Sequence, residues 1–569
     1  MLPQTTITFK DGGLGINGSG AGNTQLMVGI SAGGTVNTVQ TCSSPNQCTS
    51  LLVAGPLYDA VYNRVSLSGQ TMYAVNVPIN AAGTVGTWTQ QGSGAGVVSS
   101  TVANFQQILV KCILGGSLGT ATFQFSINGA AYGATVTSAA GWSSTGYQVP
   151  GTLTTLTFGV AVYVAGNVYT IPTTGVCSAS SPAGGPTGPT QSSSPVDAYE
   201  LQVKIVVAGN LGTAQFTYSL DNGNTVSAPI VTAATVIIPN SGIILGFTSA
   251  AYVAGDIYSA VATTASFTSG AATTAIATAL ATGYAFEGIE IVGMPATASS
   301  AASFASALDS SLQTAEVTNK QFLFGICACP TVEADATVQS AFTGVTSATG
   351  RVSVCVGTCD VTSLASGLIL RRPISWPYGS RLARTRQCEH PGKVMLGGLP
   401  GVIAIQPAYG TANNGADTAS TFDSFRFVTL RTLQGVPGFY VTRGNTLALA
   451  TSDYSSIMNL RVVNLAATLA QAGLNFYLNA DWRIDPDTGH LDARDVNTVN
   501  AKITGMMSDR MIGSPGSAND QASRVAFAID VTSNILSTST LLCTITIVPK
   551  GYSQQIQATI GLVNPRLQT

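Results

Sequence analysis

The run Val110-Lys111-Cys112-Ile113-Leu114-Gly115-Gly116-Ser117-Leu118-Gly119-Thr120-Ala121-Thr122-Phe123-Gln124-Phe125 returns about ninety residues later. Its second form is Val203-Lys204-Ile205-Val206-Val207-Ala208-Gly209-Asn210-Leu211-Gly212-Thr213-Ala214-Gln215-Phe216-Thr217-Tyr218, with half of the positions unchanged. The match continues in the same order: Asn128-Gly129 with Asn222-Gly223, Val149-Pro150 with Ile238-Pro239, and Tyr163 to Tyr169 with Tyr252 to Tyr258. A self-similar period of this length marks one supersecondary unit used twice. Each copy alternates apolar with small polar residues around an Asn-Gly pair, the strongest short-range signal for a hairpin. The expectation is a tandem pair of antiparallel β-sandwich or barrel modules, residues 98–177 and 198–268. A Pro/Gly/Ser-rich linker over 178–197 would separate them like beads on a string.

Outward from the repeats the pattern changes. Helical runs at Ala271 to Tyr284, Ser299 to Val317 and Val332 to Val345 alternate with apolar strands at Gly288 to Met294, Gln321 to Ile326 and Arg351 to Val356. Such alternation predicts a mostly parallel, helix-covered sheet. On the N-terminal side a strand (Leu26 to Ser31), a short helix (Tyr58 to Ser66) and a strand (Met72 to Val77) would join the same sheet. The repeats are then an insertion between residues 25–97 and 269–415, and the chain as a whole is α+β and multidomain. Residues 416–552 follow a separate plan. A hairpin is expected around Gln434-Gly435-Val436-Pro437, helices at Ser455 to Leu478 and Asp492 to Met511, and strands at Arg524 to Val531 and Leu541 to Val548. The ends, 1–24 and 553–569, read as arms. Deleting about 98 to 268 is expected to leave assembly possible.

Composition narrows the function classes. Only 8% of the 569 residues are charged and the net charge is −2, while 62 are glycine. A neutral-polar surface with little self-repulsion favours dense packing of many copies. Nucleic acid is an unsuitable partner, because 23 Lys and Arg spread along the chain make no phosphate-binding face. Every apolar stretch is interrupted before about 18 residues, so no membrane insertion is expected. The start, Met1 to Asp11, lacks a secretory pattern, which implies synthesis in the cytoplasm. Fourteen charged residues precede position 319 and the rest follow it, so recognition by charge belongs to the C-terminal half.

Chemistry has few candidates. The two histidines, His390 and His490, sit in loop-like surroundings, and Asp485-Pro486-Asp487-Thr488-Gly489 reads as a turn rather than a calcium loop. No catalytic residue, cofactor or metal site is assigned. Among ten cysteines, Cys42, Cys48, Cys327, Cys329, Cys355 and Cys359 are open to two readings, buried free thiols or disulfides within or between subunits. Arg371, Arg372, Arg381, Arg384 and Arg386 form the densest cluster of charge. Arginine's planar fork suits salt bridges between subunits, against the plainer reading of a solvated basic face.

Three stretches resemble contractile phage tail sheath proteins: Gln25 to Val75, Arg371-Arg372-Pro373-Ile374-Ser375-Trp376-Pro377, and Phe427 to Thr432 with Gly438 to Arg443. The repeated module is similar to one found inside phage tail proteins. The resemblance implies a non-enzymatic subunit with an α/β sheath body and outward-facing modules. It implies self-assembly into stacked hexameric rings around a tail tube protein, with baseplate and tail terminator proteins as further partners, in a virion. It also implies linkage by terminal strands added to neighbouring sheets. The alternating segments containing Ile7 and Phe9, and Ile556, Ala558 and Ile560, suit that role. Arg494, Asp495, Lys502, Asp509 and Arg510 become candidates for the tube-facing side. A surface-layer or adhesin-type protein is the alternative reading.

Overall fold

The alternation of apolar strand and helix resolves into one six-stranded sheet. Its strands are β1 (Gln25–Gly29), β2 (Val39–Cys42), β3 (Met72–Asn76), β20 (Gly288–Ile291), β21 (Phe324–Cys329) and β22 (Val352–Val356), in the order β2-β3-β1-β20-β21-β22. In this computed structural model residues 23–547 are described, apart from 92, 94, 103–105, 172–177, 181–189, 193, 331–332, 346–349, 407–421, 423–424, 487–488, 512–524 and 533–534. All neighbours in the sheet are parallel except β2, which closes one edge antiparallel to β3.

Strand periodicity sends successive side chains to opposite faces, so the sheet feeds two cores. Leu26, Val28 and Ile30 pack with the helices α3 (Ser269–Leu280), α4 (Ala298–Thr314) and α5 (Asp335–Phe342). Met27, Met72, Phe324 and Ile326 pack with α1 (Pro45–Leu52), α2 (Pro56–Ser68) and α6 (Ser375–Arg384) on the other face. Burial on both faces explains why β1, β20, β21 and β22 have no exposed position. The sequence reading had α2 and α3 to α5 within a few residues but missed α1, β2 and α6.

Between β3 and β20 lie the repeats. The first has a five-stranded sheet of β12 (Ser178–Ser180), β11 (Val168–Ile171), β6 (Ile108–Leu114), β7 (Thr122–Ile127) and β8 (Val136–Thr137), and a three-stranded one of β13 (Thr190–Ser192), β10 (Thr155–Thr157) and β9 (Tyr147–Gln148). The second has β4 (Thr89–Gln91), β19 (Ile257–Ala262), β14 (Tyr199–Val207), β15 (Gln215–Ser219) and β16 (Ile230–Val231), facing β5 (Val98–Val102), β18 (Ile243–Phe247) and β17 (Thr235–Ile238). Each pair of sheets encloses its own core, one around Phe123, Trp142 and Phe158 and the other around Phe216, Phe247 and Tyr258. Both copies keep the expected Asn-Gly turn, with φ of 50° and 76° at Asn128 and Gly129 and of 56° and 86° at Asn222 and Gly223. Both also keep a tyrosine corner: the Tyr163 hydroxyl donates to the Gly159 carbonyl at 2.9 Å and Tyr252 to Thr248 at 3.0 Å.

Two features differ from the sequence reading. Two segments expected in the linker, β12 and β13, pair with β11 and β10 of the first sandwich. The strands β4 and β5, expected in the body and in the first module, belong instead to the second sandwich. The first repeat is thus finished by strands that follow it and the second by strands that precede it, so the two are circular permutants. The strands β6 to β13 of the first sandwich thus lie, in chain order, between β5 and β14 of the other. A search for similar residues finds only the six strands the copies share.

Beyond the sheet, β23 (Thr358–Thr362), β24 (Ile369–Pro373) and β25 (Val402–Gln406) form a small antiparallel sheet, and β26 (Leu430–Leu433) pairs with β27 (Val436–Val441). These belong to a compact unit of Met1–Thr385 and Pro391–Leu460. A second unit, Arg386–His390 with Arg461–Thr569, contains β28 (Val525–Ile529), β29 (Cys543–Ile547), α8 (Ala493–Met511) and most of α7 (Ile457–Asn475). Its core gathers Val462, Leu469, Val499, Ile503 and Phe527.

Candidate functional site

The arginine cluster lies on β24, on α6 and just beyond it. In β24 neighbouring side chains diverge, leaving Arg371 exposed and Arg372 buried. The Arg372 guanidinium bridges two carboxylates: Nη2 is 2.6 Å from Asp59 Oδ2 and 2.7 Å from Asp197 Oδ2, and Nη1 is 2.8 Å from Asp197 Oδ1. Asp59 stands in the first turn of α2, and its other oxygen accepts the Ser363 hydroxyl at 2.5 Å. Burial pushes the Asp59 carboxyl above its ordinary value, against the opposing pull of Arg372. Burial acts to lower Arg372, but the two carboxylates outweigh it and hold the guanidinium above its ordinary range.

Around this ion triad the second sandwich is joined to the body. Arg371 Nη1 is 2.5 Å from Glu200 Oε1 on β14, and its Nε is 3.1 Å from Asp360 Oδ1 on β23. The Ile369 amide donates to Asp221 Oδ2 at 3.1 Å, and Leu370 enters the sandwich core. Val196 and Ala265, at the two crossings of the chain, are buried in the core of the body. The second sandwich is therefore built into the body rather than tethered to it.

Arg381 does something else. Its Nη1 and Nη2 donate to the carbonyls of Leu396 and Gly397 at 3.2 and 2.6 Å, holding the loop after α6. Arg384 and Arg386 are exposed. The guanidinium groups of Arg371, Arg372 and Arg381 are thus engaged within the chain, where the sequence reading had expected contacts between subunits.

A second buried pair, which the sequence reading missed, underlies α6. Arg64 of α2 lies 2.5 Å from Glu290 of β20, donates to Gln25 Oε1 at 2.5 Å and reaches the Trp376 carbonyl at 3.3 Å. Both partners are at most 1% exposed. Gly379 is a required glycine here, since an added Cβ would stand 2.2 Å from Arg64 Nη2. The signal was present: in a chain so poor in charge, Asp59, Asp197 and Glu290 each sit among apolar neighbours, where a charge needs a partner.

The remaining candidates are placed as follows. Ile7, Phe9, Ile556, Ala558 and Ile560 lie outside the described residues, as do the side chains of Asp509 and Arg510. On α8, Arg494 and Lys502 share the exposed face, while Val496, Val499 and Ile503 are buried. Asp495 pairs with Arg483 at 2.7 Å, and Lys502 sits 3.8 Å above the centroid of the Phe476 ring. Cys42, Cys48, Cys327, Cys329, Cys355 and Cys359 are all free and buried, as in the first of the two readings. Among the described residues no cluster of three or more metal-ligating side chains occurs, and no helix is long and apolar enough to cross a membrane.

No curated protein matches the chain. Two solved structures align along nearly its whole length. A sheath tail protein from Listeria innocua does so with 11% identity, a TM-score of 0.40 and coverage of 93% of this chain and 96% of that one. A sheath tail protein from Desulfitobacterium hafniense gives 11% identity, a TM-score of 0.40 and coverage of 96% and 100%. The sheath complex of an extracellular contractile injection system in its contracted state aligns over 43% of this chain and 65% of that one, with 14% identity and a TM-score of 0.32. Family models described as DUF2586, N-terminal domain, and DUF2586, C-terminal domain, match residues 2–445 and 453–567 in succession. The chain belongs to the DUF2586 family.

Proposed function

We propose that this chain is the structural subunit of a contractile sheath, polymerising around a tail tube and shortening to drive the tube through a host envelope. One observation carries the reading. The three stretches that resemble sheath proteins are scattered from Gln25 to Arg443, yet they supply a single core: Met27, Leu57 and Met72 from the first, Ile374 and Trp376 from the second, and Val428, Leu430 and Val441 from the third. A resemblance confined to loops would have no such common core. Within this reading the partners are further copies in stacked rings, the tube, the baseplate and a tail terminator, and the particle is a phage or phage-like tail. The arms around Ile7 to Phe9 and Ile556 to Ile560 add strands to neighbouring subunits, for which the two-stranded sheet β28–β29 is a suitable acceptor. Chemistry on a substrate has no part in this role.

Negative-stain microscopy of the purified chain tests the reading. Hollow tubes or stacked rings are expected. Planar lattices would favour a surface layer instead, and a monodisperse monomer would exclude both.

A further inference from the structure

Where the second sandwich joins the body, acid outnumbers base. Five carboxylates converge there: Asp59 of α2, Asp197 just before β14, Glu200 within it, Asp221 in the turn after β15 and Asp360 of β23. Two guanidinium groups face them, Arg371 and Arg372 of β24. Arg372 is shared by Asp59 and Asp197, and Arg371 by Glu200 and Asp360. Asp221, bridged to Glu200 along the backbone, has neutral donors. The Thr225 amide and the Ser219 hydroxyl reach its Oδ1 at 2.7 and 2.8 Å, and the Ile369 amide and the Thr225 hydroxyl reach its Oδ2 at 3.1 and 3.0 Å. Asp59, Asp197, Asp221 and Arg372 are all buried, so water screens them little. With every acid ionised, the joint holds three surplus negative charges. We propose that this joint is a proton-dependent latch, holding the second sandwich to the body more firmly in a mildly acid medium than in a neutral one.

A proton entering the closed joint removes one surplus charge from a buried cluster. In the opened or unfolded chain the same carboxylates are hydrated and titrate in their ordinary range, near about pH 4. Burial raises both Asp59 and Glu200 above their ordinary values, against the pull of their arginines. The closed joint therefore binds protons at pH values where the open one has already lost them. Its stability rises as the pH falls from neutral toward the ordinary carboxylate range, and is lost as the pH climbs through the raised values. The other titratable groups facing the joint are Tyr58 beside Asp59, Tyr199 of β14 and Cys359 of β23, and burial keeps the proton on each. Of the remaining charges on these elements, Lys204 of β14 is exposed and Arg64 of α2 is engaged by Glu290. The latch would operate whether or not the chain assembles into a sheath.

Thermal midpoints of the full chain, measured from about pH 7.5 down to about pH 5, test the latch. Over that range the parent is expected to gain a few degrees relative to Asp59→Asn, which has one surplus charge fewer at neutral pH. Asp481→Asn, at an exposed position, should keep the parent's pH dependence. Parallel curves for the parent and Asp59→Asn, or a parent that loses ground to that variant on acidification, would overturn the proposal. Should Asp59→Asn not fold, Glu200→Gln carries the same test with the same criterion, since that side chain is 26% exposed and tolerates the change more easily. Hydrogen exchange at the Ile369 amide, which donates to Asp221, reads the joint locally. After correction for the intrinsic rate, its protection in the parent should rise several-fold between the upper and the lower pH. Unchanged protection would count against the latch.

Discussion

At the scale of single residues, the chain buries several of its few charges and pairs them inside. Arg372 is the most consequential, since replacing it leaves the carboxylates of Asp59 and Asp197 buried and facing one another. Breaking a buried ion pair typically costs about 3–5 kcal/mol. Arg372→Ala should therefore lower the thermal midpoint clearly. Asp197→Asn should do so less, because Asp59 still balances the guanidinium, and the exposed Arg384→Ala should change stability by no more than about 0.5 kcal/mol. Equal effects of the three in thermal unfolding would contradict the triad. Gly379→Ala drives a methyl group into Arg64 and should destabilise by about 1–3 kcal/mol. Gly344→Ala, with nothing within 4 Å of its new Cβ, is the neutral comparison. Sequence inspection finds these arginines but not their partners: Arg372 and Asp59 are separated by 313 positions.

Among elements, the order of strands decides which pieces are separable. Val102 pairs with Ile243 at the end of β5, and the Val196 amide donates to the Ser241 carbonyl at 2.9 Å. The two ends of the inserted sandwich thus meet at the start of β18. Replacing residues 103–193 by a short Gly-Ser link should give a soluble chain that still assembles and melts only moderately below the parent, because Leu153 leaves the core of the body and the Ile79 amide loses Gln148 Oε1, its acceptor at 2.9 Å. Deletion of 98–268, harmless on the sequence reading, now carries the opposite expectation. It strips Asp197 from Arg372, removes Val196 and Ala265 from the core of the body, and leaves residues 80–91 without their ladder on 257–266. Soluble expression and melting of the two deletions check this directly, and equal behaviour would show that the second sandwich is dispensable after all.

For the whole molecule, sparse surface charge bears on how copies are joined. If strand addition holds the sheath together, its contacts are backbone hydrogen bonds and apolar surface, which salt screens weakly. Tubes formed at about 0.05 M salt should then persist at about 0.5 M, as followed by light scattering. Dissolution over that range would assign the joints to ion pairs between surface side chains.

The amino-acid sequence by itself determined the elements and their kind. Period-two alternation marked the duplicated strands, Asn-Gly placed both turns, and alternating helix and apolar strand announced a mostly parallel, helix-covered sheet. These are signals written within ten or twenty residues, where local geometry fixes which side chains share a face. Tertiary structure decided two further things: which strands complete which sandwich, and which acid meets which arginine. Each of these joins positions that are not neighbours in a shared periodic element. β12 and β13 are short and rich in Ser, Thr and Gln, and their membership depends on the backbone ladders that β10 and β11 offer them. The duplicated run remains the clearest feature of the chain, but its second copy is part of the body's own structure, held there by a buried arginine whose partners only the fold brings together.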